Sequence, residues 1–423
     1  MKTFYKNSFR KSVLVTQLLL LLFVPAKLWA QQKRITEFVL FAGNPAYSSN
    51  PGNDKISSIR IGSGSVIRNG SIGSYNFVKT LGSSIINGNI HNGRNAELAN
   101  SNTINGSIFI SNLSLDNGTN LRIGSNATIN GNILVNGNAI IKGGIFNGKI
   151  THPNGTTYLG PLPAGGEIIG PPPLPLLPIM PEINSFPAAG HTTISSTKTI
   201  SPGSYGSVNL PGNKNLTFSG PGIYIFKSIK NYGTNCFIFD FKNNPQGVIK
   251  IFIYGDADNC KIKASIINGG DASRIYTEVH GTGSSNPDGY AFNIVNGPSA
   301  KNISRWSGTV WAPYGSINIG SGAGASTVRG ALWSGKKVNV QCGVTIKYAA
   351  FKFCSPPNAD AGPDKELNCQ VTSVQLDGSS SNRYASFKWK AINGGLISSG
   401  AKTAHPTVTA GGTYILTVTD PTG

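Results

Sequence analysis

A short phrase returns five times in the first third of this chain and limits its fold more than any other feature. It reads Ile67-Arg-Asn-Gly-Ser-Ile72, Ile86-Asn-Gly-Asn-Ile90, Ile104-Asn-Gly-Ser-Ile108, Ile129-Asn-Gly-Asn-Ile133 and Ile141-Lys-Gly-Gly-Ile145. The shared glycines, Gly70, Gly88, Gly106, Gly131 and Gly143, are spaced by 18, 18, 25 and 12 residues. Apolar residues alternating with polar ones indicate strands, and Asn-Gly pairs indicate turns between them. A short unit of this kind cannot bury its own apolar face. Stacked coils of a β-solenoid, whose strands add into long parallel sheets, are the expected solution. Asn87, Asn105 and Asn130 recur at one place in the phrase, so a ladder of amides along a coil corner is expected.

The same strand-and-turn style runs through most of the chain. Lys2, Lys6, Arg10 and Lys11 precede an apolar run from Val13 to Val24, and Ala30 closes the segment. Residues 1–30 thus read as a secretory signal peptide, too short in its apolar part to be a membrane span. A first solenoid block occupies 31–159. Nine prolines fall in 160–187, which reads as a linker or a strap in extended polyproline geometry. A second solenoid block follows over 188–355, with strands such as Val248–Tyr254 and Ile275–Val279. From 358 to 423 short alternating strands around Trp389 read as a small β-sandwich. The fold class is all-β, a parallel β-helix or solenoid body followed by an Ig-like sandwich. The chain stops at Asp420-Pro-Thr-Gly423 in what reads as a strand and turn, so the sandwich is expected to be incomplete.

Charge and cysteines narrow the function classes. The net charge is +19, and the leader's five basic residues reduce this to 19 − 5 = +14 after removal. The remaining Lys and Arg are scattered singly apart from the pairs Lys33-Arg34 and Lys336-Lys337, without the stripe and interleaved aromatics that nucleic acid wants, so no nucleic-acid partner is expected. A basic exterior keeps the chain soluble, with attraction to anionic polysaccharide as the functional alternative. In an oxidising compartment the five cysteines are expected to form disulfides, for which Cys236 with Cys260 and Cys342 with Cys354 are possible local pairs. Cys369 is left over. No spacing resembles a metal site, and no cofactor is expected.

Enzymatic β-helices need paired carboxylates, or a carboxylate with a base, on one coil face. In the repeat block the acids are Glu97 and Asp116. In the second block Asp256, Asp258, Asp271, Glu278, His280 and Asp288 form the densest polar group, and several of them read as turns. The aromatics of the last coils, Trp306, Trp311, Tyr314 and Trp333, are the candidate ligand-binding residues, able to stack on sugars if exposed. The alternative for them is a core that seals the solenoid. Ice-binding β-helices present flat rows of threonine; the repeat block has Thr103 and Thr128 at like positions but no sustained Thr-x-Thr array.

Three resemblances add to this reading. Ala361-Gly-Pro-Asp364, Leu376-Asp-Gly-Ser-Ser380, Phe387-Lys-Trp389 and Gly412-Thr-Tyr414 through Asp420 resemble a PKD-type immunoglobulin-like domain of Bacteroidetes surface proteins. Members of that family with a cysteine at the place of Cys369 often pair it just past the final turn. Leu210-Pro-Gly through Tyr224, Ser307-Gly-Thr-Val-Trp-Ala-Pro313, Gly330-Ala-Leu-Trp-Ser-Gly335 and Val338-Asn-Val-Gln-Cys-Gly343 resemble the choice-of-anchor A type of exported bacterial surface domain. That resemblance implies no activity. The repeat block is similar in style to bactofilin-like polymerising β-helices, but differs in its leader and irregular spacing. Together these imply a secreted or cell-surface, non-enzymatic protein for adhesion or for glycan or matrix binding. A polysaccharide-degrading enzyme is the second possibility, and ice binding the third.

Overall fold

The structure, a computed structural model, describes residues 32–43, 58–115, 117–284, 289–296, 303–321, 326–351, 359–380 and 386–419. The leader, Cys354, Asp116 and Asp288 lie outside them. The chain divides into two compact units, 1–351 and 352–423. Among the described residues the helical elements are two three-residue 3-10 turns, Ile35–Glu37 and Ala272–Arg274.

The first unit is a three-sided parallel β-solenoid. Its walls are a 13-stranded sheet and two 12-stranded sheets, called here sheets 1, 2 and 3. Each coil contributes one strand to each wall in turn, beginning with Phe38–Ala42, Ile59–Ile61 and Val66–Arg68. Strand residues alternate inward and outward. The inward ones, such as Ile67, Ile86, Ile104 and Ile129 on sheet 3, fill one continuous core. Each fully buried aliphatic side chain stabilises the coil stack by about 1.5–3 kcal/mol. In the second half the filling turns aromatic, with Phe218, Phe237, Phe239, Phe292 and Trp306 in edge contacts.

Coil order in space differs from coil order in sequence. The first coil lies in the middle of the stack, between the second coil and the last. Phe38–Ala42 pairs with Ser71–Ser74 on one side and with Leu332–Ser334 on the other. Ile59–Ile61 and Val66–Arg68 pair likewise with Val338–Val340 and Thr345–Tyr348. The chain therefore winds from the middle to one end, crosses the whole length, and winds back from the far end to a seam with its own first coil.

The proline-rich segment makes that crossing, as a strap rather than a free linker. Sheet 1 has 13 strands, so its length is about 58 Å at about 4.8 Å per interval. Residues 171–192, in extended polyproline form at about 3.1 Å per residue, reach about 68 Å. The same residues as an α-helix, rising about 1.5 Å each, would reach only about 33 Å. Seven prolines between 171 and 187 forbid that helix. The strap is tied down along its course. Lys33 N donates to Leu176 O at 3.0 Å, the Tyr75 hydroxyl donates to Pro178 O, and the Tyr254 hydroxyl donates to Phe186 O at 2.8 Å. Beneath it lies an apolar outer row of sheet 1, including Phe41, Trp333, Trp311 and Phe252, with Leu177, Met180 and Phe186 packed against them. The strap replaces solvent on a face that would otherwise be exposed and apolar.

The repeat glycines stack backbone on backbone. A Cβ on Gly88 would lie 2.1 Å from Gly70 O, on Gly106 2.4 Å from Gly88 O, and on Gly148 2.1 Å from Gly131 O. Only glycine lets the coils approach so closely. The fifth member is thus Gly148, in Ile145-Phe-Asn-Gly-Lys-Ile150. Gly143 has nothing within 4 Å and lies outside the stack. The expected amide ladder is present and one step longer. Asn147 Nδ2 donates to Asn130 Oδ1 at 2.7 Å, Asn130 to Asn105 at 2.6 Å and Asn105 to Asn87 at 2.6 Å.

The second unit is made of small antiparallel sheets, the longest pairing being Ser386–Ile392 with Thr413–Thr419. Its core is Leu376, Trp389 and Val408, with the Trp389 Nε1 donating to Thr403 O at 3.0 Å. Trp389 is the buried tryptophan that the strand pattern called for.

Candidate binding face

The four aromatics singled out in the sequence do not form an exposed platform. Trp306 points into the core and is 2% exposed, beside Phe292 at 5.1 Å. Trp311 and Trp333 neighbour each other on sheet 1, but the strap and the Ala350–Phe351 segment bury them to 2% and 0% exposure. Trp333 Nε1 donates to Phe38 O at 3.0 Å. Tyr314 is 45% exposed and makes an edge contact with His280 at 5.3 Å. These coils are the last of the solenoid in sequence yet sit at the middle of the stack, so their tryptophans seal the seam and the strap rather than an end.

The disulfide pairing of Cys236 with Cys260 is not formed, and both thiols are free. Cys236 lies on sheet 3 and Cys260 on sheet 2, on strands that do not pair with each other. Cys236 Sγ lies 3.6 Å from Ser265 Oγ, and burial pushes the Cys260 thiol pKa up. Cys342 and Cys369 are exposed free thiols.

The described acids of the second block's dense polar group are dispersed over turns and walls, each tied to its surroundings. Asp256 accepts from Gly283 N at 2.9 Å, Asp258 from Asn293 Nδ2 at 3.0 Å, and Asp271 from Ser273 N at 2.6 Å. Glu278 is fully buried and holds the strap. It accepts from Asn184 N at 2.9 Å, Asn184 Nδ2 at 2.6 Å and the Tyr276 hydroxyl at 2.9 Å, and lies 2.7 Å from His280 Nε2. Glu97 on sheet 2 faces Lys79 Nζ at 3.9 Å. Among the described residues, no group of three or more His, Cys, Asp or Glu could hold a metal. No helix of the described residues is long and apolar enough to cross a membrane.

The three walls differ in what they present outward. Sheet 1 is covered along its middle by the strap. Sheet 2 carries a buried amide row. There Asn339 Nδ2 donates to Asn318 Oδ1 at 2.8 Å and Asn318 Nδ2 to Asn293 Oδ1 at 2.8 Å, and the row ends on Asp258. Sheet 3 presents two outward columns running along the solenoid axis. The first is Ile145, Thr128, Thr103, Ile85, Val66, Thr345 and Thr327, aligned residue on residue across the seam. The second begins with the asparagine ladder and continues as Arg68, Lys347 and Arg329. Two further cations, Arg305 and Lys263, stand in line with the first column. The side chains repeat at about 4.8 Å along the axis. No single sequence segment contains this array, because the seam joins strands nearly 280 residues apart, as the Val66–Thr345 pair shows.

The fold thus defines a parallel three-walled β-solenoid carrying a small antiparallel β unit. No protein-family model matches the chain. A stretch of 71 residues is 45% identical to the Dyslexia-associated protein KIAA0319-like protein of Mus musculus, covering 15% of this chain and 7% of that one. Among solved structures, an ice-binding protein from an Antarctic Flavobacteriaceae bacterium covers 78% of this chain and 98% of its own, at 13% identity and a TM-score of 0.23.

Proposed function

We propose that this chain is an exported, non-enzymatic binding protein that presents sheet 3 of its solenoid to a glycan or to extracellular matrix. The leader-like segment at 1–30 supports export, and the PKD-like motifs of the second unit support a surface spacer. The observation that carries the reading is the face of sheet 3. It is long and open, with outward side chains repeating at strand spacing, so that one kind of contact recurs along a polymer. Recurrent weak contacts on one rigid scaffold add through effective concentration. A broad glycan array probed with residues 31–423, with turnover of bound polysaccharide followed in parallel, tests it. Selective binding without cleavage supports adhesion. Cleavage overturns the non-enzymatic reading.

A second reading is ice binding, favoured by the aligned row of β-branched residues from Ile145 to Thr327. Those side chains are stiff at χ1 and hold their methyl groups in a regular line. Thermal hysteresis and ice recrystallisation assays test it. Activity abolished by Thr103→Lys supports this reading, and inactivity of the parent chain rules it out.

A further inference from the structure

Arg68, Lys347, Arg329, Arg305 and Lys263 occupy five consecutive strands of sheet 3, one cation on each. All five are exposed on the outer side. Arg68, Lys347 and Arg329 are direct register partners, and Arg305 and Lys263 continue the array in the adjoining column. The strip spans about 19 Å at about 4.8 Å per strand. The acid on sheet 3 among its described strands is Asp240. It sits one strand beyond Lys263, four residues along from Cys236, about 13 Å away, and is bound to Lys242 Nζ at 3.0 Å.

Stability alone does not call for this arrangement. Like charges on directly opposed residues destabilise a sheet. Each directly opposed pair, Arg68 with Lys347, Lys347 with Arg329 and Arg305 with Lys263, repels by about 1 kcal/mol in water before salt screening. The same column is filled with hydrogen-bonded asparagines up to Asn87 and changes to cations only at the seam. Thr345, Thr327 and Ser307 lie between the charges as hydroxyl partners.

We propose that this strip is a binding site for a linear acidic polysaccharide, one bearing carboxylate or sulfate groups along its length, lying parallel to the solenoid axis. The proposal rests on the reading of sheet 3 as a binding face and names its ligand class. Fixed anions spaced about one sugar apart match single cations at strand spacing, and the hydroxyl side chains suit the sugar hydroxyls. Nucleic acid fits less well, because single strands want aromatic rings to stack on. Trp306 points inward. Tyr348 packs on Gly70 and its hydroxyl is held by Thr36 O.

The test measures binding of residues 31–423 to polygalacturonate, dextran sulfate, neutral dextran and single-stranded DNA over a range of salt. The variants are a triple Arg68→Ser, Arg329→Ser, Lys347→Ser and a control triple Arg122→Ser, Lys227→Ser, Lys230→Ser. The control removes equal charge elsewhere on the body, and melting temperatures verify that both variants fold. Binding to an acidic polysaccharide is expected to weaken on the order of tenfold or more between about 50 and about 200 mM salt. The strip variant is expected to lose at least tenfold in affinity while the control loses little. Equal losses in both variants, or DNA bound more tightly than either acidic polysaccharide, would overturn the proposal. Binding to neutral glycans alone would overturn the acidic ligand and leave the binding face standing. Failure to bind any polymer would overturn both.

Discussion

Replacing Gly106 by alanine tests the coil stack at one of its glycine-on-glycine contacts. The new Cβ would lie 2.4 Å from Gly88 O, whereas real Cβ contacts essentially never fall below 3.0 Å, so the coils must part locally by 3.0 − 2.4 = 0.6 Å. The neighbouring rungs Thr103 N to Ser84 O and Asn105 N to Ile86 O are 2.9 Å long, and the same opening takes them to 2.9 + 0.6 = 3.5 Å. That length is past the useful range of an amide hydrogen bond. Two or three weakened rungs at about 1 kcal/mol each give a loss of about 2–3 kcal/mol, within the usual range for overpacking. For a body of this size the melting temperature should fall by about 5 °C. Gly118→Ala is the internal control, since nothing lies within 4 Å of its Cβ position, and a change within about 0.5 kcal/mol is expected there. Thermal and urea unfolding followed by circular dichroism would read both. Equal stability of the two variants would refute glycine-on-glycine stacking.

Three further outcomes follow from buried groups. Burial, with the Lys33 cation adding to it, lowers the His91 pKa from 6.5 to about 4, so the folded chain keeps this imidazole neutral while the unfolded chain protonates it. Unfolding takes up a proton in that window, so stability should fall as pH drops from 6.5 towards 4, by up to about 3 kcal/mol. His91→Phe should flatten that part of the urea-midpoint profile, and an unchanged slope would contradict it. Glu278→Ala strands Asn184, Tyr276 and His280 under the strap. It should cost about 3–5 kcal/mol and speed proteolysis within 171–190, and a strap as resistant as in the parent chain would show that the clasp is elsewhere. Alkylation without reduction should label Cys236 and Cys260, each a free thiol, and a linked peptide pair would contradict the structure.

The sequence carried the local rules well and the long-range ones poorly. Alternation and Asn-Gly turns made the solenoid legible, and Asn87, Asn105 and Asn130 pointed to a ladder that exists. The fifth repeat was misplaced because Ile141-Lys-Gly-Gly-Ile145 mimics the phrase. Only the contact of Gly148 with Gly131 O separates the true member from the false one. The tryptophans were legible as either a binding platform or a sealing core, and the core is what forms. What covers them was not legible, since nothing local reveals that 171–190 returns over sheet 1 or that the last coil meets the first. The same seam hid the cations. Arg68 and Lys347 are 279 residues apart and look scattered, yet their strands are neighbours. Charge that looks like a solvated exterior along the chain becomes a strip once the coils are stacked.

Residue-resolved footprinting of the arginines and lysines, with and without an acidic polysaccharide, tests the role of sheet 3 most directly. Protection of Arg68, Arg329, Lys347, Arg305 and Lys263, with Arg122 and Lys230 on sheet 2 still reactive, is the expected pattern. Protection centred on Arg122 and Lys230, or spread evenly over the body, would contradict sheet 3 as the binding face.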